Sequence, residues 1–370
     1  MILASCRPGD AVILPRDAHM SALGGLILAG ARPVYSSLGA MEDRSWGPPD
    51  LEDLSAALAS QAPRAVLLTR PSYAGSLFDL DVYAERIHAA GVTLLVDEAH
   101  GAHVGLHPAL PEGALALGAD AAVQSTHKML GALTPGAMLH LKGGRLDQDR
   151  VHRALSLLQT TSPSYLVLAS LDAARRKEAL APPERWEAPI RWARLARERI
   201  AGLPGLRVMP PGDPLKIGID VTGAGLSGYE AADILAQEGV IIEHATHRLV
   251  VAFMGPGTRP GDLERLAEAC LAFARHAPRN EPDPPMPPIP PMVLLPREAF
   301  FAESRPIPWS RALGEVSAEL VCPYPPGAPA LVPGERITPE VVEYLDDMRA
   351  LGAQFVGPAD PNFETIRIMA

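Results

Sequence analysis

Two short stretches carry residues that could do chemistry together. Asp97-Glu98-Ala99-His100 ends the apolar run Val92–Val96, and Ser125-Thr126-His127-Lys128 follows the brief run Ala121–Gln124. A fully apolar strand, a connection with a short helical piece at Ala114–Gly118, and a second strand form the pattern of a buried parallel sheet. Ligands of such sheets collect at the carboxyl ends of the strands. An acid and a lysine at two such ends are therefore candidates for one site. Lysine is scarce: of 33 basic residues only Lys128, Lys142, Lys177 and Lys216 are lysines, so basic positions default to arginine. A lysine at the end of a buried strand points to an amine that loses its proton and attacks a carbonyl, which arginine cannot do.

Positioning these residues requires a sheet, and the flanking pattern predicts one. Ala11–Leu14, Pro33–Tyr35 and Ala65–Thr69 read as short strands. Between and after them come helices at Asp17–Ala29 (ended by Gly30), Leu51–Ser60 (capped by Asp50) and Asp81–Ala90. This alternation predicts a doubly wound α/β unit, with Gly136–Leu141 as one more strand. Long helices follow at Asp147–Gln159, Tyr165–Leu180 and the amphipathic Pro183–Ala201. Strands Lys216–Val221, Val240–Glu243 and Arg248–Ala252, with helices Gly228–Glu238 and Pro260–His276, make a compact α+β unit. Nine prolines among the nineteen residues Pro278–Pro296 form a stiff spacer. The tail holds two short strands' worth of apolar residues, a Pro-Gly-rich stretch over Cys322–Gly334 and a helix over Thr338–Leu351. The expected division is 1–160, 161–277, a linker at 278–296, and 297–370.

Composition narrows the function. A chain of 370 residues with 47% apolar and 21% charged content has the make-up of a soluble globular protein of two or three units. A net charge of −10 argues against a general nucleic-acid binder. Cys6, Cys270 and Cys322 are too few and too scattered for a disulfide framework, so a reducing cytoplasm is expected. No run of eighteen apolar residues suggests a membrane span, and the first residues do not read as a secretory signal.

Other readings of the motifs remain at this point. Asp97-Glu98-Ala99-His100 after a strand would suit a helicase-type ATPase, but its phosphate loop needs a Gly-Lys pair, and the chain has none. His100, His103 and His107 with Asp97 offer a second reading as metal ligands, although Gly101 and Gly105 make this a loop. Asp97 could also be a helix cap or buried polar group, and Lys128 a surface residue.

The stretches Asp97–His103 and Gln124–Lys128 closely resemble the bacterial ornithine/lysine/arginine decarboxylases. So do Arg16-Asp17-Ala18-His19-Met20-Ser21, Ser162-Pro163-Ser164-Tyr165, Pro323–Gly327 and Pro333-Gly334-Glu335, in the same order along nearly the whole chain. The resemblance implies a large domain of the aspartate-aminotransferase fold (fold type I), a smaller α+β domain and a C-terminal decarboxylase domain. It implies pyridoxal 5'-phosphate as cofactor, bound through a Schiff base to Lys128. Asp97 would then pair with the pyridine nitrogen, His100 would reach the ring hydroxyl, His19 would stack on the ring, and Ser125 and His127 would contact the phosphate. The implied reaction is decarboxylation of a basic amino acid, arginine ahead of lysine or ornithine, feeding polyamine synthesis. Glu335 is the implied acid for the substrate's distal cation. A homodimer or higher homo-oligomer is implied as well, with no nucleic-acid or membrane partner.

This sequence departs from the family pattern in places. The Gly/Ser/Thr-rich phosphate loop expected just before Met1 is not in it, so weak cofactor binding and an uncovered apolar stub at Met1–Leu3 are expected. Met20 replaces a usual lysine, and Ala132–Ala137 replaces a more polar loop. Two rival functions follow: a non-catalytic homologue acting as a partner or regulatory subunit, or another reaction on the same cofactor, such as transamination or carbon–carbon lysis.

Overall fold

In the computed structural model, residues 1–36, 38–40, 46–210, 212–275, 284, 286–324 and 327–370 are described. The first elements are α1 (Ile2–Ser5), β1 (Ala11–Pro15), α2 (Met20–Ala29) and β2 (Arg32–Ser36). A short pair β3 (Leu38–Ala40) and β4 (Trp46–Pro49), then α3 (Leu51–Gln61), β5 (Ala65–Thr69), α4 (Leu80–Ala89) and β6 (Thr93–Asp97), come next. β7 (Ala121–Gln124), α5 (Thr126–Met129), β8 (Met138–Leu141) and α6 (Gln148–Leu158) complete the first group. The six long strands form one sheet in the order β2-β1-β5-β6-β7-β8. All neighbours are parallel except β7 and β8.

Local chemistry explains the boundaries. β5 and β6 are apolar on both faces, as a sheet covered by helices on both sides requires. Asp50 caps α3 by accepting from the amides of Glu52 and Asp53, and Gly30 closes α2 in the left-handed conformation (φ 65°). Two expectations are corrected. Ala114–Gly118 is a turn, not a helical piece: the Leu117 amide makes one helical bond to Gly113, and the ladder stops there because the Gly118 and Ala119 amides bond Leu115 and Ala114 instead. Met1–Leu3 is not an uncovered stub either. Ile2 is buried over Gly25, where an added methyl group would lie 3.2 Å from the Ile2 side chain, and α1 packs on both α2 and α6.

The second group comprises α7 (Tyr165–Leu180), α8 (Glu187–Ala201), β9 (Arg207–Val208), β10 (Lys216–Asp220), α9 (Gly228–Gln237), β11 (His244–Ala245), β12 (Leu249–Phe253) and α10 (Pro260–Cys270). Its antiparallel sheet, ordered β11-β12-β10-β9, packs on α8, α9 and α10 around Ile217, Val250 and Phe273. The strand expected at Val240–Glu243 lies instead at His244–Ala245. There the chain pairs with Val250 and Val251, whereas Val240 closes the end of α9 by bonding Leu235.

The tail carries α11 (Pro296–Phe301), β13 (Ser304–Pro308), β14 (Cys322–Tyr324), α12 (Pro339–Ala350), β15 (Gln354–Val356) and β16 (Thr365–Met369). β13 pairs with β16 and β14 with β15, so the tail has four strands rather than two. Residues 276–283, 285 and 325–326, which include part of the proline-rich spacer, His276 and Pro325-Pro326, lie outside the described residues. No described helix is long and apolar enough to cross a membrane.

Candidate active site

The site is built on the tips of three parallel strands. Thr69 of β5 pairs with Asp97 of β6, and Asp97 pairs with Val123 of β7, so the chain leaves all three strands at one edge. A cleft open to solvent lies beyond this edge. His19, Asp97, His100, Ser125 and Lys128 line it together, as the sequence reading expects.

At the tip of β6 the two acids part, because alternate residues of a strand face opposite ways. Asp97 faces the cleft and accepts a hydrogen bond from the Ala99 amide at 3.0 Å. Burial pushes its carboxyl above the usual range, while the Ala99 amide and the charges of His19 and Lys128 pull it back toward ionisation. Glu98, on the other side, is buried and bonds the Ala114 amide and Gln124 Nε2, each at 2.7 Å. It therefore ties the loop after β6 to β7. Gly101 must be glycine here, since a Cβ would lie 2.5 Å from Glu98 Cγ and 2.9 Å from Pro71 Cδ.

The three histidines of this loop diverge. His100 Nε2 lies 3.2 Å from Lys128 Nζ, and its Nδ1 lies 3.1 Å from Lys216 Nζ. The Tyr73 ring packs on it with centroids 4.7 Å apart. His103 is buried with its Nε2 2.9 Å from Asp213 Oδ2, joining the first sheet to the segment before β10. His107 Nδ1 accepts from the Ala109 amide at 3.0 Å and shapes a turn. Among the described residues no cluster of His, Cys, Asp and Glu could hold a metal ion.

Burial, together with Lys216 and Lys128, pushes His100 down to about 2, which favours the neutral ring. Its 3.7 Å approach to Glu243 is accordingly not an ion pair. His19 begins α2, its Nδ1 accepting from the Ser21 amide at 3.2 Å, and its ring is exposed at the cleft. Ser125 precedes α5, whose single turn carries His127 and Lys128. His127 Nδ1 donates to the Gly136 carbonyl at 2.8 Å; this residue stands beside the lysine and does not line the cleft.

Glu335 is not where the sequence reading puts it. Fully buried and away from the cleft, its carboxylate is held by the Arg16 guanidinium through bonds of 2.6 and 2.7 Å. An acid buried and paired in this way exposes no oxygen to a substrate cation. Conversely, Tyr73, Asp17, Lys216 and Glu243 belong to the site or its immediate surround without having been singled out. Lys216 carried a usable signal, being one of only four lysines, and it begins a strand. Tyr73 carried none, because its place depends on the loop after β5.

The donor set fits a pyridoxal group: an exposed amine, a half-buried carboxylate at the adjacent strand tip, and an imidazole ring exposed at the cleft. Comparison with known proteins agrees. Residues 1–221 match the family model for the Orn/Lys/Arg decarboxylase major domain, and 286–364 match that for the Orn/Lys/Arg decarboxylase C-terminal domain. The arginine decarboxylase of Bacillus subtilis is 33% identical over 397 residues, covering 100% of this chain and 79% of that protein. The solved structure of the Escherichia coli constitutive lysine decarboxylase superposes with a TM-score of 0.83 at 18% identity, covering 100% of this chain and 68% of that one. An alanine–glyoxylate aminotransferase from Nostoc sp. shares the fold over 74% of this chain and 77% of its own, with a TM-score of 0.58 at 20% identity. Strand-tip lysine, facing carboxylate and matched sequence thus lead to one conclusion: the chain belongs to the Orn/Lys/Arg decarboxylase family, pyridoxal-phosphate-dependent carboxy-lyases of basic amino acids.

Proposed function

We infer that the cleft is where decarboxylation takes place, with Lys128 as the attachment lysine, and that arginine is the amino acid used. The observation that carries this reading is the placing of Lys128 and Asp97 in one cleft at the tips of neighbouring strands. Bound at this site, the coenzyme supplies an electron sink for the pair left behind when carbon dioxide departs. Lys128 Nζ would hold the group through its aldehyde carbon. Asp97 would face the pyridine nitrogen and favour its protonated form; its partial burial would strengthen that pairing, because charges attract more in a site that excludes water. His100 would meet the ring hydroxyl, His19 would cover the ring face, and Ser125 would contribute to phosphate binding, whereas His127, turned to the Gly136 carbonyl outside the cleft, is not placed for that role. The choice of arginine is supported by the 33% sequence identity to an arginine decarboxylase, against 23% to the lysine enzyme.

The acting form is a homodimer or a larger homo-oligomer. Supporting this, Leu157 and Leu158 of α6 and Tyr165, Leu166 and Leu168 of α7 are each exposed, apolar area that a second copy would cover. Sedimentation of Leu166→Glu beside the parent chain tests this, and an unchanged monomeric parent would end the idea. Three unpaired cysteines fit a cytoplasmic setting, where the amine product would enter polyamine synthesis.

The deciding experiment offers pyridoxal phosphate and arginine to the purified chain, measuring the visible absorption of bound coenzyme, carbon dioxide and the amine. Lys128→Ala is expected to lose all three. A keto acid as product, or full turnover by Lys128→Ala, would overturn the reading.

A further inference from the structure

The imidazole of His100 sits between two lysines, and the count of protons in that triad is constrained. A neutral imidazole has one N–H donor and one acceptor nitrogen, and an imidazolium has two donors. With Lys128 Nζ 3.2 Å from Nε2 and Lys216 Nζ 3.1 Å from Nδ1, the ring cannot accept from both ammonium groups. At least one of the two lysines must be an uncharged amine that accepts.

The surroundings decide which. Lys216, on β10, is buried, and it also donates to the Tyr73 carbonyl at 2.8 Å. Asp213 and Glu243 face it, and both favour its charged form against the burial that pulls it down to about 8. Two of its three N–H donors have fixed acceptors, the Tyr73 carbonyl and His100 Nδ1, which favours the ammonium in place. Lys128 opens onto the cleft, facing His100, the Tyr73 ring at 5.8 Å and the carboxylate of Asp97. His100 also meets His244 and His103, both of which oppose its protonation.

We propose that Lys216 is a positioning residue for the reaction: by donating to His100 Nδ1 it turns the Nε2–H toward Lys128 and holds that amine uncharged, ready to bond the coenzyme aldehyde. The inference rests on the assignment of Lys128 as the attachment lysine. In the bonding step Lys128 Nζ contributes the electron pair of the new C–N bond and gives up both its hydrogens to the water that leaves with the aldehyde oxygen. A second cation beyond the imidazole works in the same direction, since like charge disfavours a proton on Lys128.

The test uses the full chain freed of coenzyme. Pyridoxal phosphate is added across pH 6 to 10, the rise of visible absorption is timed, and borohydride trapping with peptide mass spectrometry identifies the modified lysine. Lys216→Met keeps the length of the buried stem, and His100→Phe keeps a ring against Tyr73 while removing both nitrogens. In either variant attachment should be about tenfold slower at pH 7 and approach the parent rate near pH 10, a shift of the profile by about one pH unit. The two variants are independent, so a folding defect in one, seen by near-ultraviolet circular dichroism, leaves the other decisive. Profiles that superimpose on the parent, or slowing by the same factor at every pH, would overturn the proposal. An adduct that persists in Lys128→Ala would remove the underlying assignment, and the relay with it, which is a separate result from an unshifted profile.

Discussion

The pairing of Arg16 with Glu335 leads to a prediction whose size follows from the structure. The guanidinium donates to both carboxylate oxygens, to the Pro329 carbonyl at 2.8 Å and to the Ala330 carbonyl at 3.0 Å, while its face covers the Tyr35 ring at 4.7 Å. The Val332 amide adds a bond of 2.9 Å to Glu335. Both side chains are almost wholly removed from water, at 5% and 0% exposure. Glu335→Gln or Arg16→Met would leave the other group buried with its charge unpaired, a loss of about 3–5 kcal/mol. Replacing both, in Arg16→Met with Glu335→Gln, removes the stranded charge, keeps an acceptor for the Val332 amide and leaves mainly the two carbonyls without donors, at about 1 kcal/mol each. The double variant should therefore be more stable than the sum of the single losses implies, by at least about 2 kcal/mol. Urea unfolding monitored at two wavelengths measures all four proteins, with slopes compared so that midpoints report stability. Additive losses would refute the coupling. The same proteins bear on substrate recognition: a Glu335→Gln chain with a raised KM but parental urea midpoint would show the carboxylate meeting substrate, against the structure.

Two further outcomes follow from other parts of the chain. Burial alone would raise Asp220, but bonds from the Thr222 hydroxyl and amide and the charges of Arg248 and Arg207 hold it below the usual carboxylate range. The unfolded chain then takes up this proton first, so the stabilisation is present above the ordinary carboxylate value and is lost as pH falls through the lower folded value; the stability gap between the parent and Asp220→Asn should narrow steadily below about pH 4. At Gly101 an added methyl group collides with Glu98 and Pro71, so Gly101→Ala should cost about 1–3 kcal/mol and slow coenzyme attachment by displacing His100; a variant with parental stability and attachment rate would show that the loop yields freely.

The sequence was informative wherever a feature is local. Strand, helix and cap positions in the first unit could be read to within a few residues, since β5 and β6 are continuous apolar runs and Asp50 and Gly30 announce helix ends by their own chemistry. The Asp97–Lys128 pair was equally legible, because parallel strands deliver their carboxyl ends to one edge whatever the loops do. Contacts between distant segments were not. Glu335 could be identified as an important acid, but only folding brings it to Arg16, 319 positions away in the chain. In the same way, Lys216 meets His100 across 116 positions. No periodicity or motif encodes such a meeting: it depends on how the second sheet packs against the first, which is settled by the sum of many buried contacts. Tertiary packing thus decided which acid is already spoken for and which second lysine shares the histidine, while the chemistry at the strand tips was already written in residue type and order.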